Sequence, residues 1–399
     1  MNSVSWFFCL VICVLGFAGC SDDEDPTADA GSVPDAGLVP DGAVRIETCG
    51  VDVHQHFATN APFDDSAAVM IETMAAVGYA HSLVMIPPIA YPDTAPPGAA
   101  NYTYLDPSRG GGPSLRDVVR ANPEHLSLVA GGGRLNRWIH QAVVLDIEPE
   151  EADLDEFERV AEGILDDGAV GFGEMAVLHL SIENSHPFIS IPADHAYFLR
   201  LAEVAARRGV PIDIHAEMVD GVTIAIPADL PRNARGVSCF RSTADARNPG
   251  NNPVEIDDMM VGFERLLAHD RGAAIIWSHV GWDNTGHMTA ERLRELMNTH
   301  SNLHLSLKML GDPSPGCQLI TNRPIDPVDG TLRPEWGALI EDFADRIVIG
   351  ADTFFSTSNT GFAAAAVANT RGTWAIVDQL DPETARRVAC DTPRRLFGL

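Results

Sequence analysis

Five aliphatic runs in this chain end on a histidine or a carboxylate: GVDVHQH on His54 and His56, GAVGFGE on Glu174, GVPIDIH on His215, AAIIWSH on His279 and DRIVIGAD on Asp352. Buried parallel strands read as short β-branched runs, and a polar residue repeated at their C-terminal ends means that those ends meet at one place. Strands are expected near 50–54, 81–86, 126–130, 169–174, 210–215, 273–279, 302–308 and 346–352. Amphipathic stretches such as EEADLDEFERVAEGILDD, DHAYFLRLAEVAARRG, VEIDDMMVGFERLLAHD and TAERLRELMNTH fall between them. Eight strands alternating with helices predict an α/β fold, a (β/α)8 TIM barrel with long βα loops. A doubly wound sheet is the alternative, and no GxGxxG turn follows the first strand to favour it.

The spacing fits a barrel. From His54 to Glu174 there are 120 residues, room for three strand-helix units, and from Glu174 to His215 there are 41, room for one. The 64 residues from His215 to His279 hold one unit and a long loop over 216–253; the 73 from His279 to Asp352 hold two units. The polar ends then fall on strands 1, 4, 5, 6 and 8. Other long strand-end loops are expected over 87–113, 131–150, 176–193 and 308–334. Side chains alternate faces along a strand. Strict alternation puts Asp52, His54 and His56 on the barrel-facing side with Val51 and Val53 toward the helices, and puts Asp213 and His215 inside with Ile212 and Ile214 outside.

Four histidines and two carboxylates at one mouth form a ligand set for divalent metal: two zinc ions, with manganese, iron or nickel as alternatives. His54, His56 and Asp352 would hold one ion, His215 and His279 the other, with Glu174 and a hydroxide spanning both. Such a pair would acidify the shared water and draw the substrate oxygen as Lewis acids. Arg134 and Arg137, on the loop after strand 3, are candidates for binding a substrate anion. Lys308 is another, with a salt bridge to Asp213 or Glu174 as its structural alternative. Trp282 and the pair Phe354 and Phe355 could wall a pocket, and His179 and His287 lie close in sequence to ligand-bearing strand ends.

The pattern DxHxH, GxGE, a histidine ending strand 5, SH ending strand 6 and GxD ending strand 8 resembles the amidohydrolase superfamily, in particular its amidohydrolase-related branch of TIM-barrel metal-dependent hydrolases. The closing CDTPRRLFGL is similar to the C-terminal helix of many such chains. The resemblance spans about residues 47–399. It implies metal ligation by His54, His56, His215 and His279, with Asp352 as ligand and proton acceptor and His279 as the group that polarises substrate if only one metal binds. Glu174 stands where TatD-like members carry glutamate and many others a carboxylated lysine. The implied function is hydrolysis of a small-molecule ester, lactone, amide or phosphoester. A single-metal decarboxylase or hydratase of the same superfamily and a non-catalytic metal-containing surface binding protein are the alternatives.

Ahead of the barrel, residues 4–18 form an uncharged apolar stretch that leads into Gly19 and Cys20, and the run Phe17, Ala18, Gly19 and Cys20 resembles the end of a bacterial lipoprotein signal with Cys20 as the lipidated residue. Residues 21–46 are acidic and rich in proline, glycine and alanine, a composition that cannot repay its ordering entropy and reads as a tether. The expected location is extracytoplasmic, on a bacterial membrane through the lipid alone. With 27 basic against 56 acidic residues the chain has a net charge of −29, which excludes electrostatic binding of nucleic acid. Cys49, Cys239, Cys317 and Cys390 allow three disulfide pairings.

Overall fold

The computed structural model describes residues 46–91, 103–181, 187–230, 240, 242–244, 246, 250–309, 322–357 and 360–399. The signal-like segment, Cys20, nearly all of the tether, Cys239 and Cys317 lie outside the described residues. No helix among those described is long and apolar enough to cross a membrane.

Eight parallel strands make the expected barrel. They are β1 (Val51–Phe57), β2 (His81–Met85), β3 in two pieces (Leu126–Leu128 and Ala130–Gly131), β4 (Phe172–His179), β5 (Ile212–Ala216), β6 (Ile275–Val280), β7 (Leu303–Leu307) and β8 (Ile347–Ile349). Around the ring β1 pairs with β8, β8 with β7, β7 with β6, β6 with β5 and β5 with β4. The first piece of β3 pairs with β2 and the second with β4, so the break at Val129 is where the ring closes. The chain re-enters the sheet at Thr353–Phe355, again beside β1.

Helices cover the outer face. Phe63–Val77 follows β1, and Glu151–Asp166, Ala196–Arg208, Met260–His269 and Ala290–Thr299 fall inside the four amphipathic stretches read from the sequence. Thr289 caps the last of these by accepting from the Arg292 amide, which satisfies one of the orphan donors of its first turn. Outward-facing Val84, Leu128, Ile212, Ile214, Ile275, Trp277, Leu305 and Ile349 join the main core beneath these helices. A separate cluster of Val51, Val53, Leu83, Met85, Val129, Ile276 and Val348 fills the lumen, joined by Leu396 and Phe397 of the C-terminal helix. Phe397 packs beside Gly171, just ahead of β4, so that helix stoppers the N-terminal end of the barrel. Each such aliphatic side chain contributes about 1.5–3 kcal/mol by leaving water.

The lumen cluster corrects the alternation read for β1. Val51 and Val53 point inward, whereas Asp52 accepts from the indole of Trp374 in the outer layer at 3.0 Å and from the amide of Ala351. The cause is an irregularity in the pairing of β1 with β2 between Asp52 and Gln55, where a bulge lets Val53 and His54 both face the lumen. Gln55 faces outward, its carbonyl accepting from the amide of Thr353. Along β5, with regular pairing to β6, strict alternation holds.

Cys49 and Cys390 form a disulfide, Cα atoms 5.2 Å apart, between a residue two positions ahead of β1 and the C-terminal segment.

Candidate metal centre

The six residues at the strand ends come together at the C-terminal mouth of the barrel. His54 and His56 are inaccessible, Glu174, His215 and His279 are buried, and Asp352 retains slight exposure. Regular strands alone would not aim them this way. The β4 pairing slips between Phe172 and Met175, and that of β6 between Trp277 and Val280. His279 and Asp352 have left-handed backbones, with φ of 65° and 47°, a conformation that is costly for a residue with a side chain, persists only where the surrounding structure holds it and clusters at functional sites.

Glu174 divides its two oxygens between the histidines. Oε2 lies 3.3 Å from His56 Nε2 and 3.6 Å from His54 Nε2. Oε1 lies 2.7 Å from His215 Nδ1 and 3.1 Å from His279 Nε2. Asp352 presents Oδ1 to His56 Nε2 at 3.1 Å, and its Oδ2 accepts from Lys308 Nζ and stands 3.6 Å from His279 Nδ1. Ligand atoms of His54, His56 and Glu174 lie within 4.8 Å of one another, as do those of Glu174, His215 and His279 and those of His54, His279 and Asp352.

The donor chemistry fits a cation. His56 Nδ1 donates to the carbonyl of Met85 at 2.9 Å, and His54 Nδ1 faces the carboxylate of Asp213 at 3.1 and 3.2 Å. With both Nδ1 atoms serving as donors, the two Nε2 atoms face each other at 3.1 Å, a separation that calls for one cation, a proton or a metal ion, between them. An ion held tetrahedrally by two imidazoles at about 2.0–2.1 Å each separates their nitrogens by about 3.3 Å. Protonation equilibria point the same way. Burial would lower the His54 imidazolium, but the Asp213 and Glu174 carboxylates outweigh it and hold its pKa well above the ordinary range. Burial would raise Glu174, yet His54, His215 and His279 bring it well below the carboxylate range. Burial opposes the charge of Asp352 too, and Lys308 and His279 hold it well below its usual value. The cluster draws positive charge inward.

The structure places the remaining sequence candidates as follows. Lys308 is buried, pairs with Asp352 and lays its ammonium 3.4 Å above the centre of the Trp282 ring. Its partner is therefore neither Asp213 nor Glu174, because Lys308 leaves β7, whose sheet neighbour β8 leads to Asp352. Arg134 and Arg137 are not brought to the cluster. The expected loop over 131–150 contains a helix, Leu135–Val144, and both arginines line a cavity of about 440 Å³ with Trp138, Gln141 and Tyr197. Arg137 stacks 5.3 Å over the Tyr91 ring. Phe354 stacks on His56 at 4.5 Å, while Phe355 belongs to the core. The His179 ring lies 4.6 Å from that of His215; His287 makes no contact with the cluster among the described residues.

Sequence reading missed Glu217. It is buried, lies 3.4 Å from His215 Nε2 through Oε2, and accepts from the amide of Leu180 and from Asn284 Nδ2. Its position two residues beyond His215 was the available signal, since a continuing alternation returns it to the same face.

No protein-family model matches the chain, and no curated protein does. Among solved structures it is similar to a dihydroorotase from Campylobacter jejuni, with 12% identity and a TM-score of 0.40 over 89% of this chain and 86% of that one. It is also similar to a metallopeptidase described as a dipeptidase, with 12% identity and a TM-score of 0.43 over 88% of this chain and 98% of that one. A third is an N-acetyl-D-glucosamine-6-phosphate deacetylase from Mycobacterium smegmatis, with 16% identity and a TM-score of 0.31 over 88% and 77%. Values of this size transfer no activity.

Proposed function

We propose that the chain is a metal-dependent hydrolase of the amidohydrolase superfamily, with a TatD-like glutamate on β4, cleaving a small-molecule ester, lactone, amide or phosphoester. The observation that carries this reading is the division of Glu174, one oxygen toward His54 and His56 and the other toward His215 and His279. That is the placement a bridging carboxylate needs, and it favours two ions over one. Two divalent ions, zinc first among them, would supply Lewis-acid polarisation of the substrate oxygen and acidify the attacking water. His54, His56 and Asp352 would hold one, and His215 and His279 the other.

The chain's own residues do the rest. Asp352, kept ionised by Lys308, accepts the proton of the attacking water and returns it to the leaving group. Glu174 is committed to four imidazoles and is unsuited to that shuttle. His56 keeps its orientation because Phe354 covers its face and Met85 holds its Nδ1.

Metal content and turnover test the reading together. The purified protein should bind two equivalents of divalent metal and lose activity on chelation, and a panel of lactones, amides, carboxylic esters and phosphoesters should reveal the substrate class. Asp352→Asn should lower kcat by about 10²–10⁴-fold while the other ligands retain most of the metal. One equivalent with carbon dioxide release would favour the decarboxylase instead, and near-wild-type kcat in the variant would remove the role given to Asp352.

We also propose that the protein is exported and lipidated on Cys20. The Cys49–Cys390 disulfide supports this, since such bonds persist mainly in oxidising compartments. Cys20→Ser should move the protein from the detergent phase to the aqueous phase on partition; no change in partition would count against the anchor.

A further inference from the structure

Around the eight-stranded ring β1 and β5 stand four places apart, on opposite sides of the lumen. No sheet hydrogen bond can join them, yet the side chain of Asp213 on β5 crosses to His54 on β1. Its two oxygens lie 3.1 and 3.2 Å from Nδ1. Oδ2 also accepts from Ser278 Oγ at 2.6 Å, and Ser278 immediately precedes His279 on β6. Asp213 itself stands two residues before His215. On β4, the residue before Glu174 is Gly173, where a Cβ would come within 2.9 Å of the Asp213 Cβ. One residue, 1% exposed, thus touches His54, stands two positions before His215 and packs against the residues immediately ahead of Glu174 and His279.

We propose that Asp213 is a positioning residue for the metal centre, fixing the tautomer of His54 so that Nε2 and not Nδ1 faces the ion. The proposal rests on the metal-centre reading above. An imidazole that donates Nδ1–H to a carboxylate keeps a lone pair on Nε2, holds its ring orientation and becomes a more basic ligand. Burying a carboxylate here has a desolvation cost, and hydrogen bonds from an imidazole and a hydroxyl offset it. Ser278 then serves as the second donor that stops the carboxylate from rotating away from His54. A role confined to packing makes a different prediction: an uncharged amide of the same shape would fill the space, and only the fold would respond.

The experiment uses the full chain, stripped of metal and titrated with zinc against a chromophoric chelator, for wild type, Asp213→Asn and Ser278→Ala. Wild type should bind two equivalents. Asp213→Asn should weaken zinc binding by about 10–100-fold, the range for loss of such a supporting carboxylate, while its metal-free Tm stays at or above that of wild type. Ser278→Ala, which leaves the His54 contact in place, should weaken binding by less. Equal zinc affinity in Asp213→Asn and wild type overturns the proposal, as does a lowered metal-free Tm with unchanged affinity. Absence of zinc binding by wild type overturns the metal-centre reading as well, which separates the two failures. Should Asp213→Asn fail to fold, histidine-selective ¹⁵N spectra of zinc-loaded wild type decide the matter. A protonated Nδ1 with a metal-shifted Nε2 on His54 supports the assignment, and the reverse tautomer overturns it.

Discussion

Lys308 shows how little room the site leaves for chance at the level of a single side chain. A buried ammonium is costly unless it is paired. Here it meets the Asp352 carboxylate on one side and the face of Trp282 on the other. The pairing leaves Asp352 charged and fixes which oxygen turns toward His56. In the proposed mechanism Lys308→Met should therefore lower kcat by at least about tenfold and move the acidic limb of the pH-rate profile upward, because a carboxylate deprived of its cation is easier to protonate. The check is a pH profile of kcat/KM for both proteins; an unmoved acidic limb would show that Lys308 does not control Asp352. Sequence reading reached the position of Lys308 at the end of a strand. Its partner depended on which strands are neighbours, and the linear order of residues does not display adjacency.

Elements tell a more uneven story. The strands were legible because their apolar runs are short, β-branched and bounded by helical periodicity, and the site was legible because polar residues closed those runs. Facing was legible only where pairing is regular. Asp213 and His215 fall on the lumen side of β5 by simple alternation, whereas on β1 the bulge after Asp52 sends Asp52 to Trp374 and brings Val53 and His54 inward together. Bulges and left-handed residues arise from tertiary pairing and have weak local signatures, so the reasoning that named His54 and His56 assigned the wrong face to Asp52, Val51 and Val53. Gly350 marks the same kind of constraint between β8 and Asp352. A Cβ there would overlap Ser306 Oγ and stand 2.8 Å from the His54 Cβ. Gly350→Ala should destabilise the protein by about 1–3 kcal/mol in urea unfolding, the usual cost of overpacking, and loosen metal binding through His54. Gly163→Ala, in the helix Glu151–Asp166 with nothing within 4 Å of the new methyl group, should be neutral or stabilising and serves as the control.

At the scale of the whole molecule, the barrel is closed twice: by the ring of strands and by the bond between Cys49 and Cys390, 341 residues apart in sequence. Four candidate cysteines left three pairings open because sequence carries no distance between chain ends. Cross-linking so long a segment restricts the unfolded chain and should contribute about 2–4 kcal/mol. The double variant Cys49→Ser/Cys390→Ser should melt at lower temperature than wild type, and a reductant should lower the Tm of wild type without affecting the variant. Equal melting temperatures would mean that the bond adds no stability.

That bond also sets the path of mechanical load. Cys49 stands two residues ahead of β1, the strand that presents His54 and His56. If the proposed lipid holds the chain by its N-terminus, tension reaches Cys49 before β1 and would be shared through the cross-link with the C-terminal segment. The strand bearing two of the proposed metal ligands would then not be the first element to take the strain, and the candidate centre would keep its geometry under that load.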